Sequence, residues 1–398
     1  MDDQLGAIVE RIPDRPHAEA GPLAGQRFMA KDLFDVSGYP TRAGNPDYAE
    51  WRGIPTVDAW AVRALGDAGA QLVAKTHTHE LAYGLTGVNA HFGTPRNPHD
   101  SDRIAGGSSS GSAAAVGSGM APFALGTDTA GSIRLPASLC GIFGLRPTHG
   151  RIPVEGLVPL APSFDTVGTL ARDAATLQRV ARVLLSRFAT PTSHGFKQAV
   201  LPSDAAAFAE QTGLDAVSRT AERLRTIGIE VIEAELAAFE AIRDVQSILG
   251  GAQVWSVHED WITEQRPRLG SDLKRKLTVA SELRVAEIGR ALAREPRLVR
   301  SLDDLLGNGE TLLVLPASPD VAPNVSDLED PHQAQAFRSA SLALVTPASL
   351  GGLPAVAVPS AHNDGLPVGA QLVGPRGSDE RLLQLIQDWP SLNGTAAG

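Results

Sequence analysis

The sequence predicts an α/β fold in which one large mixed β-sheet is covered by helices on both faces. Short apolar runs that are typical of buried strands alternate along the chain with amphipathic segments that are typical of helices. Residues 198–201, 216–227 and 229–232 are predicted to be strand, helix and strand, an order that favours parallel pairing of the two strands. Because the chain has no long linker and no repeat of solenoid period, one sheet explains the pattern more simply than several domains.

Composition limits the classes of protein to which the chain can belong. Its 398 residues are 43% hydrophobic and 20% charged, which is typical of a globular protein. The formal charge of −10, without clusters of Lys or Arg, argues against a nucleic-acid-binding surface. A single cysteine, Cys140, excludes an intrachain disulfide framework and fits a reducing compartment. The N-terminus lacks the pattern of a secretory signal and no apolar run is long enough to span a bilayer, so we expect a cytoplasmic location.

The first half of the chain contains the predicted elements that surround the candidate site. Residues 1–22 are polar with several prolines, so we expect at most a short helix and a linker there. After this segment, strands are predicted at 26–30, 70–75 and 122–126, and helices at 57–69 and 113–121. The second of these helices is rich in small residues, which would let it lie close to neighbouring backbone.

The second half of the chain continues the alternation. Residues 237–304 are charged with a helical pattern, and we expect them to form a helical cover over the sheet. The apolar runs 311–316, 355–359 and 368–373 are predicted strands. Ser378 is a capping residue followed by two acids, which predicts the start of a last helix.

Three residues are candidates for a hydrolytic site that needs no histidine. Ser132 follows Gly131 in a turn whose small residues let successive backbone N–H groups face one concavity, as an oxyanion requires. Lys75 ends a predicted strand, where desolvation would lower its pKa and let it accept a proton. Ser108, in the Gly/Ser loop 106–112, could relay a proton between them. Each residue taken alone has a simpler explanation. Ser132 could be a hydrogen-bonded serine in a turn, Lys75 a surface lysine, and the loop that contains Ser108 a flexible linker.

Other motifs compete for the same region. Residues 107–111 match G-x-S-x-G, which in α/β-hydrolases would make Ser109 the nucleophile. The preceding segment 100–105 is polar rather than a buried strand, and no downstream histidine stands out as a partner. His77 and His79 alternate on an extended segment without a third metal ligand, which favours ordinary hydrogen-bonded histidines. A phosphate-binding loop is excluded because no Gly-Lys-Ser/Thr follows the glycines.

Three linked motifs resemble those of the amidase signature family. They are the Gly/Ser signature at 106–119, the nucleophile motif at 126–134 and the lysine motif Ala74-Lys75-Thr76. Outside this core, the segments that resemble the family are Ala30-Lys31-Asp32, 163–168 and 366–372. The resemblance covers roughly residues 23–385. It implies an amidase domain at 23–390, an N-terminal extension at 1–22, a tail at 391–398 and no cofactor.

The resemblance also implies a role for each matching residue. Ser132 would be the nucleophile, Ser108 the bridging residue and Lys75 the base of a Ser-cisSer-Lys triad. The oxyanion hole would be formed by four backbone N–H groups, those of Thr129, Ala130, Gly131 and Ser132. Ser109 would support the loop, and Asp128 and Arg134 would brace the nucleophile turn as an ion pair. Many members of the family have glycine where this chain has Ala130.

These residues predict an amidase that hydrolyses a small carboxylic amide to an acid and ammonia or an amine, through an acyl-enzyme on Ser132. Segments 34–36 and 89–98 are similar to plant indole-3-acetamide amidohydrolases, which suggests an aryl-acetamide substrate. The alternatives are a glutaminase-type subunit of an amidotransferase complex and a Ser-His-Asp esterase that uses Ser109. The expected partner is the small amide, with neither nucleic acid nor membrane. Many relatives have a longer segment before the position of Leu23, and it sometimes forms dimer contacts. Because this segment is shorter here, the protein is expected to be either a monomer or a homodimer.

Overall fold

Eleven strands form one sheet in the part of the protein that this computed structural model describes, residues 3–13, 15–307 and 309–389. The strands are β1 (Ile8–Arg11), β2 (Arg27–Lys31), β3 (Gln71–Thr76), β4 (Phe123–Thr127), β5 (Phe143–Arg146), β6 (Val167–Ala171), β7 (Gln198–Pro202), β8 (Glu230–Ala234), β9 (Thr311–Pro316), β10 (Ala355–Asn363) and β11 (Leu366–Val373). The α-helices are α1 (Pro46–Arg52), α2 (Trp60–Asp67), α3 (Ser110–Gly117), α4 (Arg134–Leu139), α5 (Ala174–Leu184), α6 (Gln211–Thr226), α7 (Phe239–Gln265), α8 (Ser271–Ser281), α9 (Val285–Leu306), α10 (Pro331–Leu350) and α11 (Asp379–Gln387).

The sheet is mixed, as the sequence predicts. Its strand order is β1-β3-β2-β4-β6-β5-β10-β11-β9-β7-β8. The pairs β2–β3, β2–β4, β7–β8 and β7–β9 are parallel, and the others are antiparallel. The predicted strand–helix–strand unit of the second half is β7, α6 and β8, and its two strands pair in parallel. Both the fold class and this pairing are therefore confirmed.

Helices cover both faces of the sheet. Helices α3, α4 and α6 contact one face, and α2, α5 and α11 contact strands or helices on the other. The predicted small-residue helix is α3, which is buried along almost its whole length. At Gly111, a Cβ would lie 2.3 Å from the carbonyl oxygen of Ala7, so only glycine permits this close approach to the N-terminal segment. The described residues include no helix that is both long and apolar enough to cross a membrane.

The N-terminal segment is not the short helix and linker that its composition predicts. Strand β1 pairs with β3 in the antiparallel direction, with Ile8 opposite Thr76, and forms one edge of the sheet. The carboxylate of Asp3 accepts hydrogen bonds from the N–H groups of Ala7 and Ile8 and so fixes the start of the strand. The prediction for residues 1–22 is wrong because a four-residue edge strand depends on its partner more than on its own pattern.

The segment 237–304, expected to form a helical cover, contains α7, α8 and most of α9. Helix α7 is 27 residues long and packs against α8, α9 and α10. The predicted tail at 391–398 lies outside the described residues, and the division of the chain at residue 22 stays a prediction. Along the described chain, the strands of the one sheet run from β1 to β11.

Candidate active site

A buried lysine lies beside the Gly/Ser loop. Lys31 ends β2 and is fully buried, and its Nζ lies 2.7 Å from the Oγ of Ser108 and 2.7 Å from the Oγ1 of Thr127. Ser108 precedes α3 and follows a cis peptide bond with Gly107. Thr127 ends β4, which neighbours β2 in the sheet. The ends of two adjacent strands therefore bring a lysine into direct contact with the predicted relay serine.

Lys75, the base predicted from the sequence, does not reach the Gly/Ser loop. In the parallel pairing of β2 and β3, Lys75 lies opposite Ala30, and Thr76 lies opposite Lys31. Successive residues of a strand point to opposite faces of the sheet, so Lys75 and Lys31 leave it on opposite faces. Thr76 shares the face of Lys31, and its Oγ1 lies 2.7 Å from the Oγ of Ser112 in α3.

On its own face, the ammonium group of Lys75 has three partners. Its Nζ lies 2.7 Å from Oδ1 of Asp32, and it donates to the carbonyl of Pro40 at 2.7 Å and to Oγ1 of Thr41 at 3.0 Å. Burial lowers the pKa of Lys75, whereas the adjacent carboxylate of Asp32 favours the charged form. The predicted contact between Lys75 and Ser108 is therefore wrong, because the pleat of β3 directs the lysine into an ion pair instead.

The surroundings of Lys31 prepare it to accept a proton. Burial lowers the pKa of Lys31 to about 7, against the opposing charges of Asp128 and Asp165. At neutral pH about half of the molecules would then hold an uncharged amine, which has two N–H donors and one lone pair. Nζ donates to both Oγ1 of Thr127 and Oγ of Ser108, and in the uncharged form it can instead accept from the hydroxyl of Ser108.

Ser132 lies in the turn between β4 and α4 and faces a cavity. Its side chain is almost fully buried, and it lines the cavity together with Thr129 and Ala130. The N–H of Ser109 donates to the carbonyl of Ser132 at 3.3 Å, which holds the turn against the Gly/Ser loop. In the described part of the chain, the hydroxyls of Ser132 and Ser108 do not hydrogen-bond to each other.

Three of the four N–H groups predicted for the oxyanion hole are available. Those of Thr129, Ala130 and Ser132 make no hydrogen bond to any residue that the structure describes. The N–H of Gly131 donates to Oδ1 of Asp128 at 2.8 Å. The predicted set is therefore corrected, because the carboxylate that shapes the turn already occupies the Gly131 donor.

A buried ion-pair network holds this turn. Nη2 of Arg134 lies 2.9 Å from Oδ1 of Asp128, and Nη1 of Arg146 lies 3.1 Å from the same oxygen. Burial alone would raise the pKa of Asp128, but the two guanidinium groups outweigh it and hold the pKa well below its usual range. Arg134 also donates to the carbonyl of Val345 and to the side chain of Gln371, so the network ties the turn to α10 and β11.

Ser109 occupies a position that joins the loop to β4. Its Oγ donates to the carbonyl of Thr127 and accepts from the N–H of the same residue, each at 3.3 Å. Among the described residues, the histidine side chain that hydrogen-bonds to the loop is that of His77, whose Nδ1 lies 3.1 Å from Oγ of Ser110 rather than from Ser109. Because Ser109 is fully buried and does not line the cavity, this geometry gives no support to an esterase nucleophile there.

The two histidines that follow β3 are hydrogen-bonded. Nε2 of His77 lies 2.9 Å from the carbonyl of Gly93, and Nε2 of His79 lies 3.4 Å from the carboxylate of Asp272. Burial lowers the pKa of each histidine to about 4. Within the described ranges, no group of three or more His, Cys, Asp or Glu side chains could hold a metal ion.

The cavity beside Ser132 is mainly apolar and is walled by α7 and α10. The space within it and at its open mouth, which includes solvent, is about 510 Å³. Gly250 and Gly251 of α7 leave room for it, and α7 belongs to the segment expected to cover the sheet. Trp255 and Trp261 do not line it. Trp261 packs edge-on against the ring of Tyr48 in α1 at 5.0 Å, so it joins two helices.

Known proteins resemble the chain over nearly its whole length. The family model described as Amidase matches residues 3–383. The chain is 34% identical to Amidase 1 of Arabidopsis thaliana, over 96% of this chain and 97% of the relative. It is 30% identical to a glutamyl-tRNA(Gln) amidotransferase subunit of Methanospirillum hungatei, over 96% of each chain. A crystal structure of an amidase has 34% identity and a TM-score of 0.80, covering 92% of this chain and 84% of the other.

These matches and the mixed sheet define a hydrolase that acts on the C–N bonds of carboxylic amides. The chain belongs to the amidase family, as the motifs of the Gly/Ser loop and the nucleophile turn predict. The substrate of such an enzyme is a small molecule.

The sequence patterns predict no role for four residues of the site: Lys31, Thr127, Arg146 and Asp165. The signal for Lys31 was present, because Ala30-Lys31-Asp32 resembles a segment of the family and ends a predicted strand. Asp165 accepts from the hydroxyl of Thr129 at 2.6 Å and lies in the segment 163–168, which also resembles the family. Neither segment indicates by itself which side chains meet.

Proposed function

We propose that this amidase forms an acyl-enzyme on Ser132, with Ser108 as proton relay and Lys31 as base. The observation that carries the proposal is the 2.7 Å contact between Ser108 and a fully buried lysine whose pKa is lowered to about 7. Lys31 thus takes the role that the sequence assigned to Lys75. Ser132 and Ser108 keep the roles that the sequence predicts for them.

The proposed reaction moves one proton along the three side chains. Neutral Lys31 accepts the proton of Ser108 as Ser108 accepts that of Ser132, and the Oγ of Ser132 attacks the amide carbonyl carbon. The C–N bond breaks as the proton returns through Ser108 to the leaving nitrogen, which departs as ammonia or an amine. Water then cleaves the acyl ester by the reverse transfers and releases the acid. The two hydroxyls must approach each other for the first transfer, a tightening that is common when substrate binds.

The developing oxyanion is proposed to rest against the N–H groups of Thr129, Ala130 and Ser132. Each such donor can lower the barrier by roughly 3–4 kcal/mol. The hydrogen bond from the Thr129 hydroxyl to Asp165 supports this role, because it fixes the first of the three residues. Ser109, Asp128 and Arg134 are proposed to act only by holding the loop and the turn in place.

For the substrate we propose a small amide, and the resemblance to plant enzymes makes an aryl-acetamide the first candidate. The mainly apolar lining of the cavity beside Ser132, with a few polar groups, supports a small organic amide as substrate. A glutaminase-type subunit is less well supported, because no carboxylate side chain lines the described cavity to bind the ammonium group of glutamine. The single cysteine, Cys140, supports the proposed cytoplasmic location, and we propose a monomer or homodimer.

Covalent labelling tests the nucleophile. A serine-directed fluorophosphonate, located by peptide mass spectrometry, should modify Ser132 in the natural protein and in Ser109→Ala. Hydrolysis of phenylacetamide at pH 8 should disappear in Ser132→Ala and fall at least about 1,000-fold in Lys31→Met, since a relay serine without its base is a weak nucleophile. Label on Ser109, or full activity of Lys31→Met, would overturn the assignment.

A further inference from the structure

Three polar side chains line the cavity beside Ser132 without hydrogen-bonding to any described residue. They are the guanidinium group of Arg338 on α10, the amide of Gln246 on α7 and the hydroxyl of Tyr83. Their polar atoms remain accessible from the open space of the cavity, so they can donate to a molecule that binds there. Three such donors in one cavity fit a ligand with matching acceptors.

Gln246 gives the clearest indication, because it is 4% exposed and its amide has no protein partner among the described residues. The buried Gln371 shows how this fold otherwise treats such a side chain. Its oxygen accepts from Arg134 at 2.7 Å, and its nitrogen donates to the carbonyls of Pro316 and Leu344. The amide of Gln246 therefore faces space that a ligand can fill.

Arg338 supplies the charge in this cavity. It is half-buried, and none of the other described residues that line the cavity is charged. The charges of Asp272 and Arg338 both affect the pKa of the Tyr83 hydroxyl. The carboxylate of Asp272 is already paired with Lys276 and Arg275, each at 2.5 Å. The guanidinium group of Arg338 therefore forms no ion pair with any described residue.

The remaining lining separates these polar groups from the nucleophile. Leu342 lies one turn after Arg338 on α10, and Leu85, Leu160 and Val254 add further apolar surface. A fitting molecule would place its amide at Ser132, an apolar middle against the leucines and a hydrogen-bond acceptor at Arg338. The planar fork of an arginine can donate two parallel hydrogen bonds to the two oxygens of a carboxylate.

We propose that this amidase selects half-amides of dicarboxylic acids, whose free carboxylate is bound by Arg338 with Gln246 and Tyr83 donating to its oxygens. The inference rests on the proposed acyl-enzyme at Ser132, and it narrows the substrate from any small amide to an anionic one. Glutamine also has a carboxylate, but its ammonium group would meet no acid among the described lining residues.

Matched substrates test whether the enzyme recognises the carboxylate of the substrate. Succinamate, glutaramate and para-(carbamoylmethyl)benzoate are each compared with the neutral amide in which a methyl group replaces the carboxylate, and ammonia release is measured. At least one pair should favour the anion about 10- to 100-fold in kcat/KM, the range expected for charged hydrogen bonds. The advantage should decrease as NaCl is raised.

Variants locate the recognition. Arg338→Met should remove the advantage by raising KM for the anion, with kcat and the neutral substrate changed less than about 3-fold. Arg338→Lys should restore part of it, since the charge returns without the fork. Arg243→Met is the matched control: Arg243 donates to Ser339, next to Arg338 in the chain, but does not line the cavity.

The outcomes separate this inference from the proposed function. If Ser132-dependent hydrolysis is equally fast for both members of every pair, the carboxylate site is wrong and the acyl-enzyme stands. If Arg338→Met slows a neutral aryl-acetamide as much as the anion, the arginine contacts the ring and the inference fails. Should no amide be hydrolysed, calorimetry on Ser132→Ala decides: glutarate or para-carboxyphenylacetate should bind and should lose about 10-fold in affinity in Ser132→Ala/Arg338→Met, and absence of binding overturns the site.

Discussion

Lys31 and Lys75 lie at the ends of adjacent parallel strands, yet their side chains leave the sheet on opposite faces. The pairing of Ala30 with Lys75 places the two lysines one residue out of step, and a strand alternates its faces at every residue. One lysine meets Ser108 at 2.7 Å, and the other meets Asp32 at 2.7 Å. The lysine on one face, Lys31, is therefore a candidate base, and the lysine on the other face, Lys75, is part of an ion pair.

The activity should rise with pH through the lowered pKa of Lys31. Only the uncharged amine can accept a proton, so kcat/KM should fall about tenfold per pH unit below pH 7 and level off above it. The measurement is the pH profile of kcat/KM for a neutral amide, whose own charge does not change. The buried histidines His77, His79 and His258 cannot produce this limb, because burial lowers the pKa of each to about 4. A profile that is flat from pH 6 to 8 would contradict Lys31 as the base.

Replacing Lys31 by methionine should stabilise the fold while it removes activity. The pKa of Lys31 drops from its ordinary 10.5 to about 7 on folding, so charged Lys31 disfavours the folded state. Below pH 7 this cost is fully present, and it shrinks as the pH rises from 7 towards 10.5. Allowing for the partners that Ser108 and Thr127 lose, the gain at pH 6 should be on the order of 2 kcal/mol in the free energy of unfolding.

Urea unfolding at pH 6 and at pH 9.5 measures this gain. The difference between Lys31→Met and the natural protein should be larger at pH 6, because the natural protein recovers stability as the pH rises. A variant that is less stable at both values would show that the lysine is held in its charged form by a stronger partner than Ser108 and Thr127.

Removing Lys75 should damage stability more than chemistry. Lys75→Met leaves the buried carboxylate of Asp32 with only the more distant Arg42, whose Nη1 lies 4.0 Å from Oδ2, and breaking one partner of a buried ion pair costs about 3–5 kcal/mol. The double variant Asp32→Asn/Lys75→Met should recover much of that loss, since no unpaired charge remains. Urea unfolding gives the stability, and kcat per folded molecule at low temperature gives the chemistry, which should stay within about tenfold.

This pair of variants also tests the assignment drawn from the sequence. If the double variant is folded and as stable as the natural protein but has lost amide hydrolysis by three orders of magnitude or more, Lys75 is the base after all. The comparison with Lys31→Met makes the result readable, because that variant is expected to be stable and inactive.

The sequence alone predicts the parts of the site that neighbouring residues determine. The Gly/Ser loop and the Ser132 turn are continuous segments, so their motifs lie within a few residues. The partner of Ser108 is different: both lysines end strands in apolar surroundings, and the choice between them depends on the register of β2 against β3. Register arises from contacts between strands that are distant in sequence, and a slip of one residue exchanges the faces.

Strands β5 and β6 and helix α10 were not predicted because their sequences lack the patterns that usually mark such elements. Strands β5 and β6 are short and contain Gly144 and Gly168, where a Cβ would lie 2.8 Å from the Cβ of Ala137 and 2.1 Å from the carbonyl oxygen of Leu145. Glycine weakens a strand pattern but is required by this close packing. Helix α10 is buried on every side over residues 341–350 and contains Pro347, so it has neither a polar face nor an uninterrupted helical pattern.

Gly131→Ala should reduce kcat by about 100-fold or more, the loss typical when donors to an oxyanion are displaced. Gly131 has a φ of 99°, which side chains rarely adopt, and a Cβ there would lie 2.5 Å from Cγ2 of Val345. The turn must shift to relieve the contact, and the N–H groups of Ala130 and Ser132 move with it. Stopped-time assays at saturating substrate report kcat, and circular dichroism checks that the variant is folded.

Gly119→Ala is the matched control for this prediction. Gly119 has a φ of 79°, but a Cβ there would meet nothing within 4 Å, and the residue lies at the far end of α3 from Ser108. The backbone strain should lower stability by about 1 kcal/mol and leave kcat unchanged. In Gly131→Ala/Val345→Ala the steric part of the defect is removed, so part of the lost kcat should return. If Gly131→Ala keeps kcat within about threefold, the turn is not a preorganised oxyanion site, because preorganised donors do not tolerate such a shift.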